Sequence, residues 1–511
     1  MSDPIRAAAR VPLVRLFERH VRYTPDRIAL EAGELRLTYA QLSERADRLA
    51  ALLRGHGVAR GGRVCILSQN HPACILLAVA AMRLGAVVAT LNTRLAPAEL
   101  AHCIDLVEPC VTLVSERYAA ALDAAGAATG RVLRIDVDFE RLLDETPPLR
   151  ERGPESDPED ILFVIYTSGT TGLSKGAMLS QRAMLARLLV YVLDYRVDGD
   201  DTFVAWSPLF HMASIELGLG MLLLGGKVAV LDGPDLPVIC DYLERESLAN
   251  LIFFPGMVEQ VLAYLRARRP TVRRVKKFGS LADLFAPAQI AELSALLGVP
   301  YTNTFGSTET GMPPASAGRF APGEAPIDLA KVQSSLCDLR LVDESGVEVP
   351  DGVPGELEMR GPTLFSGYWN APEATLQAFR DGWYRSGDVF VRDGRGRLAF
   401  VDRSKYLIKS GGENVYPAEI ERVVLQHPGV AEAIVVRRRD PKWGEVPVLV
   451  AATRQDGRPD AEELLGLCRA ALASFKLPKE IVFVAQGFLP RNNTGKVLRQ
   501  WVEQWVASRD A

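Results

Sequence analysis

Between Tyr166 and Gly176 the chain reads "YTSGTTGLSKG", with three threonines, two serines, three glycines and one lysine directly after the apolar run "ILFVI". Glycines let backbone N–H groups turn toward a ligand, hydroxyls add donors, and the Lys175 ammonium adds a point charge. Phosphate oxygens suit such a surface best. Ser174, not glycine, precedes Lys175, so this is not the Walker A pattern. A flexible surface turn is the alternative that the loop alone leaves open. Four further polar clusters fall at loops or strand ends. "NTFGSTETG" sets Phe305, Thr308 and Glu309 around Gly306, and "YRSGD" ends in Asp388. "DRSKYLIKSGGENVYP" holds Arg403, Lys405, Lys409 and the Gly411-Gly412 turn, and "RNNTGK" brings Lys496 to the mouth of the last helix. Taken singly, each has a plain reading. Glu309 is a solvated loop carboxylate, Asp388 a turn aspartate before a strand, and Lys496 a surface lysine.

The elements that must position these clusters alternate between helix and strand, which predicts an α/β class. "LTYAQLSERADRLAALLRGHG" has a threonine start signal and helical spacing, and "RVCILS" reads as a buried strand. After the hydroxyl loop, "GAMLS" is a short strand and Ser180 caps a helix with Met184, Leu185, Leu188, Leu189 and Val192 on one face. "KVAVL" and "NLIFFPG" read as further strands. From about residue 330 the pattern becomes strand-like alternation broken by Gly and Pro turns, an antiparallel β section, with "DGRGR" as a hairpin tip. Beyond Asp402 comes the order of a small α+β module. A helix begins near Pro417, "VAEAIVV" and "VPVLVAA" are strands, and Asp460 caps a helix. Val497, Leu498, Trp501, Val502, Trp505 and Val506 stripe the last helix.

Length and composition bound the rest. The chain has 511 residues, about three domain-sized units, and 48% hydrophobic residues, enough to bury large cores. A net charge of −4, from 59 basic and 63 acidic residues, gives no electrostatic reason to expect nucleic acid or an anionic membrane. The seven cysteines form no C-x-x-C pair, so neither a zinc site nor a disulfide framework is indicated, and a reducing cytoplasm fits. The N-terminal stretch is broken by arginines and does not read as a signal peptide. Ala73 to Thr90, the most apolar run, contains Arg83 and reads as a buried helix and strand, not a membrane span.

Together, and in this order, the clusters resemble the motifs of the adenylate-forming superfamily: acyl- and aryl-CoA synthetases, peptide-synthetase adenylation domains and beetle luciferases. The resemblance runs from about residue 15 to the end. It implies a large N-terminal region (1–401, two α/β subdomains plus the β section at about 330–401) and a small mobile C-terminal domain (402–511) hinged at Asp402. It also implies two half-reactions. A carboxylate attacks the α-phosphate of ATP, giving an acyl-adenylate and pyrophosphate; a thiol, usually that of coenzyme A, then displaces AMP. On this resemblance Thr167, Ser168, Gly169, Thr170, Thr171 and Lys175 hold the leaving phosphates, and Glu309 with Thr308 holds Mg²⁺. Phe305 and Gly306 meet adenine, with phenylalanine where the family usually has tyrosine. Asp388 accepts the ribose hydroxyls, and Arg403 contacts the ribose or the phosphates. Lys496 bridges the incoming carboxylate and the α-phosphate. In the second pose Lys409, Gly411 and Gly412 face the adenylate and the pantetheine arm.

The same resemblance puts His211, in "SPLFHMAS", beside the carboxylate end of the acyl pocket, with Phe254, Gly256, Gly279 and Leu281 as apolar or small walls. A satisfied core histidine and ordinary core packing are the readings these residues carry alone. "FHMASIEL" offers no aspartate to pair with an α-ammonium, which argues for an acid without an amine. Two departures reshape the pocket: Gly279-Ser280-Leu281-Ala282 replaces a "GGAP"-like run, and "DLAKVQSSLCDLRLV" lacks the usual glycines. Two rivals share much of this chemistry. One loads the acyl group onto a carrier protein's phosphopantetheine; the other is a non-catalytic nucleotide-binding homologue. The sequence leaves the oligomeric state open.

Overall fold

Several helix starts are written locally. Thr38 accepts the Gln41 N–H while the Gln41 side chain accepts the Thr38 N–H, which opens the helix Tyr39–Gly55. Asp460 and Glu463 close the same reciprocal box on Ala461–Ala471, and Ser180 caps Gln181–Tyr195 through the Ala183 N–H. The computed structural model describes residues 11–149, 156–167, 174–403, 406–410, 413–454, 459–472, 474–491 and 497–509. Its contacts divide the chain into one unit of Met1–Asp338 with Met359–Tyr384, and another of Leu339–Glu358 with Arg385–Ala511.

The first unit is built on two six-stranded sheets. One runs in the order Arg131–Arg134, Val111–Val114, Arg63–Leu67, Val87–Thr90, Ile161–Thr167 and Lys175–Ser180, with only the last strand antiparallel. The other follows Arg274–Val275, Ser247–Leu248, Thr202–Ala205, Lys227–Val230, Ile28–Ala32 and Leu35–Thr38, parallel up to its closing hairpin. Helix Pro72–Leu84 packs on Val87–Thr90 and Ile161–Thr167, and also on Ile28–Ala32 and helix Met212–Leu224, so every residue from Ala73 to Arg83 is buried. Coverage on all sides is why its sequence has no polar face. Arg83 is accommodated inside it by Ser43, whose carbonyl and hydroxyl each accept at 2.6 Å, and by Asp47 at 3.0 Å.

Two expectations change here. "NLIFFPG" is not a full strand: Leu251 makes an isolated bridge to Phe278, and Pro255–Met257 turns into a 3₁₀ helix that re-aims Phe254. The buried face of Gln181–Tyr195 is also broader than the leucine stripe. That helix packs on Met212–Leu224, Lys175–Ser180 and Gly311–Pro314, burying Met184, Arg187, Leu188, Tyr191 and Tyr195, while Leu189 is exposed.

In the second unit, strand Trp383–Arg392 and strand Leu398–Arg403 form the hairpin expected from "DGRGR", with Asp388 opposite Arg403. Beside it stands a mixed sheet ordered Glu413–Val415, Ile408–Ser410, Gly444–Thr453 and Val430–Asp440, with Glu480–Ala485 parallel to Gly444–Thr453. Helices Pro417–Val424 and Ala461–Ala471 bury Ile420, Val424, Leu464 and Cys468 against this sheet's Val435 and Leu449. Helix Arg499–Ser508 buries Val502 and Val506 against Val436 and Val448. Leu498 and Trp501, read as part of that apolar stripe, are exposed, because Leu498 precedes the helix and the face that meets the sheet is centred on Val502 and Val506, with Trp505 partly buried beside them. Among the described residues no helix is long and apolar enough to cross a membrane.

Candidate active site

The hydroxyl loop springs from a closed neck. Strands Ile161–Thr167 and Lys175–Ser180 pair antiparallel with Thr167 opposite Lys175 and Tyr166 opposite Gly176. A Cβ on Gly176 would stand 2.7 Å from Val164 Cγ1, so this register needs glycine there. His102 Nε2 holds the Ser174 carbonyl at 2.9 Å, and Tyr166 donates to the Cys103 carbonyl at 2.5 Å. Ser168, Gly169, Thr170 and Thr171 lie outside the described residues, as do Gly411, Gly412 and Lys496.

Residues 365–369 run along the 175–180 strand, with the Ser366 N–H on the Met178 carbonyl and the Trp369 N–H on the Gly176 carbonyl, both at 2.8 Å. This places Tyr368, which sequence reasoning missed, between two predicted site residues. Lys175 Nζ lies 5.1 Å from its ring centroid, and its phenol donates to Glu309 Oε1 at 2.9 Å. Burial, and then the Glu309 charge, raise the Tyr368 phenol far above its ordinary range, so it stays a donor.

Glu309 and Thr308 ride on a tight hairpin between Gly306–Ser307 and Gly311–Pro314, closed by the Ser307 N–H on Thr310 Oγ1 at 2.9 Å. A Cβ on Gly306 would sit 2.0 Å from the Gly311 carbonyl oxygen. Phe305 is fixed by its N–H on Ser316 Oγ at 2.9 Å. Behind the hairpin lies Arg187, fully buried. It donates to the Thr308 carbonyl at 3.0 Å and to the Thr363 carbonyl at 2.8 Å, and pairs with the equally buried Glu216 at 3.2 Å. Nothing local marks Arg187 as a site residue, because its partners are 29, 121 and 176 positions away.

Of the predicted acyl-pocket residues, His211 occupies the N-cap position of helix Met212–Leu224, its ring 4.6 Å from that of Phe210. Phe254 is 41% exposed and stands edge-on to Trp206 at 5.3 Å; Gly256 sits in the 3₁₀ turn beside it. Gly279 has φ +120, with a Cβ there 2.6 Å from the Thr302 carbonyl oxygen, so this wall admits only glycine. Leu281 leads into the short turn Ala282–Leu284, whose Ala282 N–H is held by Asn303 Oδ1 at 3.1 Å.

Lys277, just before this wall, is fully buried. Its Nζ donates to Asn250 Oδ1 and to the Gly279 carbonyl, both at 3.0 Å, and burial lowers its pKa from 10.5 to about 7. The folded chain therefore holds this proton less tightly than the unfolded one. Protonation favours unfolding, fully below about pH 7 and progressively less as pH rises toward 10.5. Thermal melts should show Lys277→Met gaining on the parent as pH falls from 10 to 7, about, and a constant difference below that. A constant difference across the whole range would refute the buried-neutral assignment.

In the second unit, Asp388 is buried and Arg403 Nε reaches its Oδ1 at 3.0 Å, so the residue predicted for the ribose and the one predicted for the ribose or the phosphates form one ion pair. Asp402, in the predicted hinge position, is buried with its carboxylate accepting the Arg403 N–H at 2.6 Å and the Ala418 N–H at 2.7 Å. It therefore caps helix Pro417–Val424. Burial raises its pKa against the pull of these donors. Lys409 is exposed and paired with Glu344 at 2.8 Å. Arg491 bridges to Val497, closing the neck of the segment that ends in Lys496.

The Lys175–Tyr368–Glu309 arrangement, with a separate helix-and-sheet module at the C-terminus, is matched by comparison with known proteins. Residues 17–369 match the AMP-binding enzyme family, and residues 419–496 match the AMP-binding enzyme C-terminal domain. The chain belongs to the AMP-binding enzyme family. Within the wider adenylate-forming superfamily, it is an AMP-forming acid–thiol ligase of mixed α/β fold. Similar proteins include the indoleacetate–CoA ligase of Aromatoleum aromaticum, 34% identical over 96% of this chain and 98% of that one. A feruloyl-CoA synthase of an Amycolatopsis species is 35% identical over 94% and 96% of the two chains. Among solved structures, ATP-bound MatB from Rhodopseudomonas palustris superposes with a TM-score of 0.86 at 29% identity, covering 98% of this chain and 100% of that one.

Proposed function

We propose that this family member activates an apolar, aryl-bearing carboxylic acid as its acyl-adenylate and transfers the acyl group to coenzyme A. The observation that carries the reading is the juxtaposition of Lys175, Tyr368 and Glu309, which sets a cation for phosphate oxygens next to a carboxylate for a hard metal ion. The relatives named for indoleacetate and ferulate support the aryl acid. So does the exposed Phe254 ring, braced edge-on by Trp206, which is an aromatic surface against which a flat ring can pack.

Each residue is then given a task its chemistry allows. The 167–175 loop and Lys175 take the β- and γ-phosphates. Glu309 Oε2 has no hydrogen-bond donor among the described residues, and with the Thr308 hydroxyl it makes an all-oxygen donor set that fits Mg²⁺ shared with phosphate. When bound, Mg²⁺ would neutralise charge on the leaving pyrophosphate. Asp388 takes the ribose hydroxyls after loosening from Arg403, and Lys496 compensates the two anions that meet at the α-phosphorus. His211 orients the acid at the pocket mouth. Domain alternation about Asp402 then brings Lys409, Gly411 and Gly412 to the thioester-forming step.

A panel of carboxylic acids scored by acid-dependent pyrophosphate exchange, repeated with free coenzyme A, tests the reading. Aryl acids should lead the panel, amino acids should fail, and coenzyme A should yield a thioester. Adenylation with no free thioester, rescued by a phosphopantetheinylated carrier, would move the acceptor to a protein. ATP binding without any acid-dependent exchange would leave only a nucleotide binder.

A further inference from the structure

Lys175 and Glu309 carry opposite charges in one unit, yet among the described residues they form no ion pair with each other. Tyr368 stands between them. Its ring faces the ammonium at 5.1 Å and its hydroxyl occupies one carboxylate oxygen at 2.9 Å. The side chain has little freedom to leave. Its backbone N–H is held by Thr375 Oγ1 at 2.9 Å, residue 368 bridges to Ala177, and the Phe365 ring stands edge-on at 4.9 Å. The Phe365 N–H also donates to the Glu309 carbonyl at 2.8 Å, so the same segment grips the carboxylate's own backbone. An ammonium and a carboxylate left adjacent and half-buried would pair directly, and each would then have to be pulled from the other before meeting a ligand.

Resting on the adenylation reading above, we propose that Tyr368 is a positioning residue that keeps Lys175 and Glu309 from pairing, so that each is available to the incoming nucleotide. The ring gives the ammonium a face that holds it weakly. The phenol satisfies one carboxylate oxygen and leaves the other for a cation.

Calorimetric titration with ATP, in Mg²⁺ and separately in EDTA, tests this on the full chain. Tyr368→Phe keeps the ring and removes only the hydroxyl. It should weaken ATP binding about 10-fold, as expected for a lost hydrogen bond to a charged group. In a Glu309→Gln background, where no carboxylate remains to capture Lys175, the same change should alter ATP affinity by less than about twofold. Melting temperatures of the four proteins separate folding loss from this coupling. An equal loss in both backgrounds would overturn the role of Tyr368 while leaving the adenylation reading intact. A parent chain that binds no ATP would overturn both.

Discussion

Lys496→Ala is expected to lower acid-dependent pyrophosphate exchange by about 10²–10³-fold, while thioester formation from a supplied acyl-adenylate proceeds at close to the parent rate. The reason is electrostatic. A carboxylate must approach a polyanion, and charge concentrates on the α-phosphate oxygens as the new bond forms. An ammonium placed there stabilises the transition state more than the separated reactants. Lys496 ends the segment that lies between Arg491 and Val497. Arg491 and Val497 close its neck, and the Leu498 N–H holds the Pro490 carbonyl at 2.8 Å. Arg499 anchors the following helix through Glu421 at 2.8 Å, with its guanidinium 4.7 Å over the Tyr406 ring. The second half-reaction has no such meeting of anions at phosphorus, so it should be spared. Equal loss of both half-reactions, measured by exchange and by thioester release, would refute the assignment.

Arg187→Met should destabilise the chain by roughly 3–5 kcal/mol in chemical denaturation, because it leaves Glu216 charged and fully buried with no partner. Burial already pushes the Glu216 carboxyl up and the Arg187 guanidinium down, and their mutual attraction offsets part of that cost. Removing both charges, as Arg187→Met with Glu216→Leu, should restore most of the lost stability. Exchange activity should not return with it, since the Thr308 carbonyl loses its Arg187 donor and the hairpin bearing Glu309 loses its rear support. Full recovery of activity in the double variant would show that Arg187 serves the core alone.

Part of this site could be read from the chain because its signals are short-range. The Thr38–Gln41 and Asp460–Glu463 boxes, the Ser180 cap and the "DGRGR" hairpin tip all involve neighbours in sequence. Tyr368 sits in "FSGYWN", which carries no chemical signature of its own. Its meaning comes from the pairing of residues 365–369 with 175–180, nearly two hundred positions apart. Lys276 and Lys277 look alike in "VKKFGS". The first pairs with Asp198 at 2.8 Å, whereas the second, beyond the end of the short strand Arg274–Val275, is buried against Asn250 and the Gly279 carbonyl.

By itself, the amino-acid order determined the α/β class, the caps, the hydroxyl loop and the motif series that carries the family assignment. Local propensity, hydrophobic period and residue chemistry act over a few positions and so survive in the linear string. Only the tertiary structure decided that Tyr368 separates Lys175 from Glu309, that Arg187 and Glu216 brace the Thr308 hairpin from the core, that Leu189 faces solvent, and that Asp402 caps a helix. Those outcomes depend on which distant segments pack together, and the cost of burying a charge or a polar group has no local trace until its partner arrives.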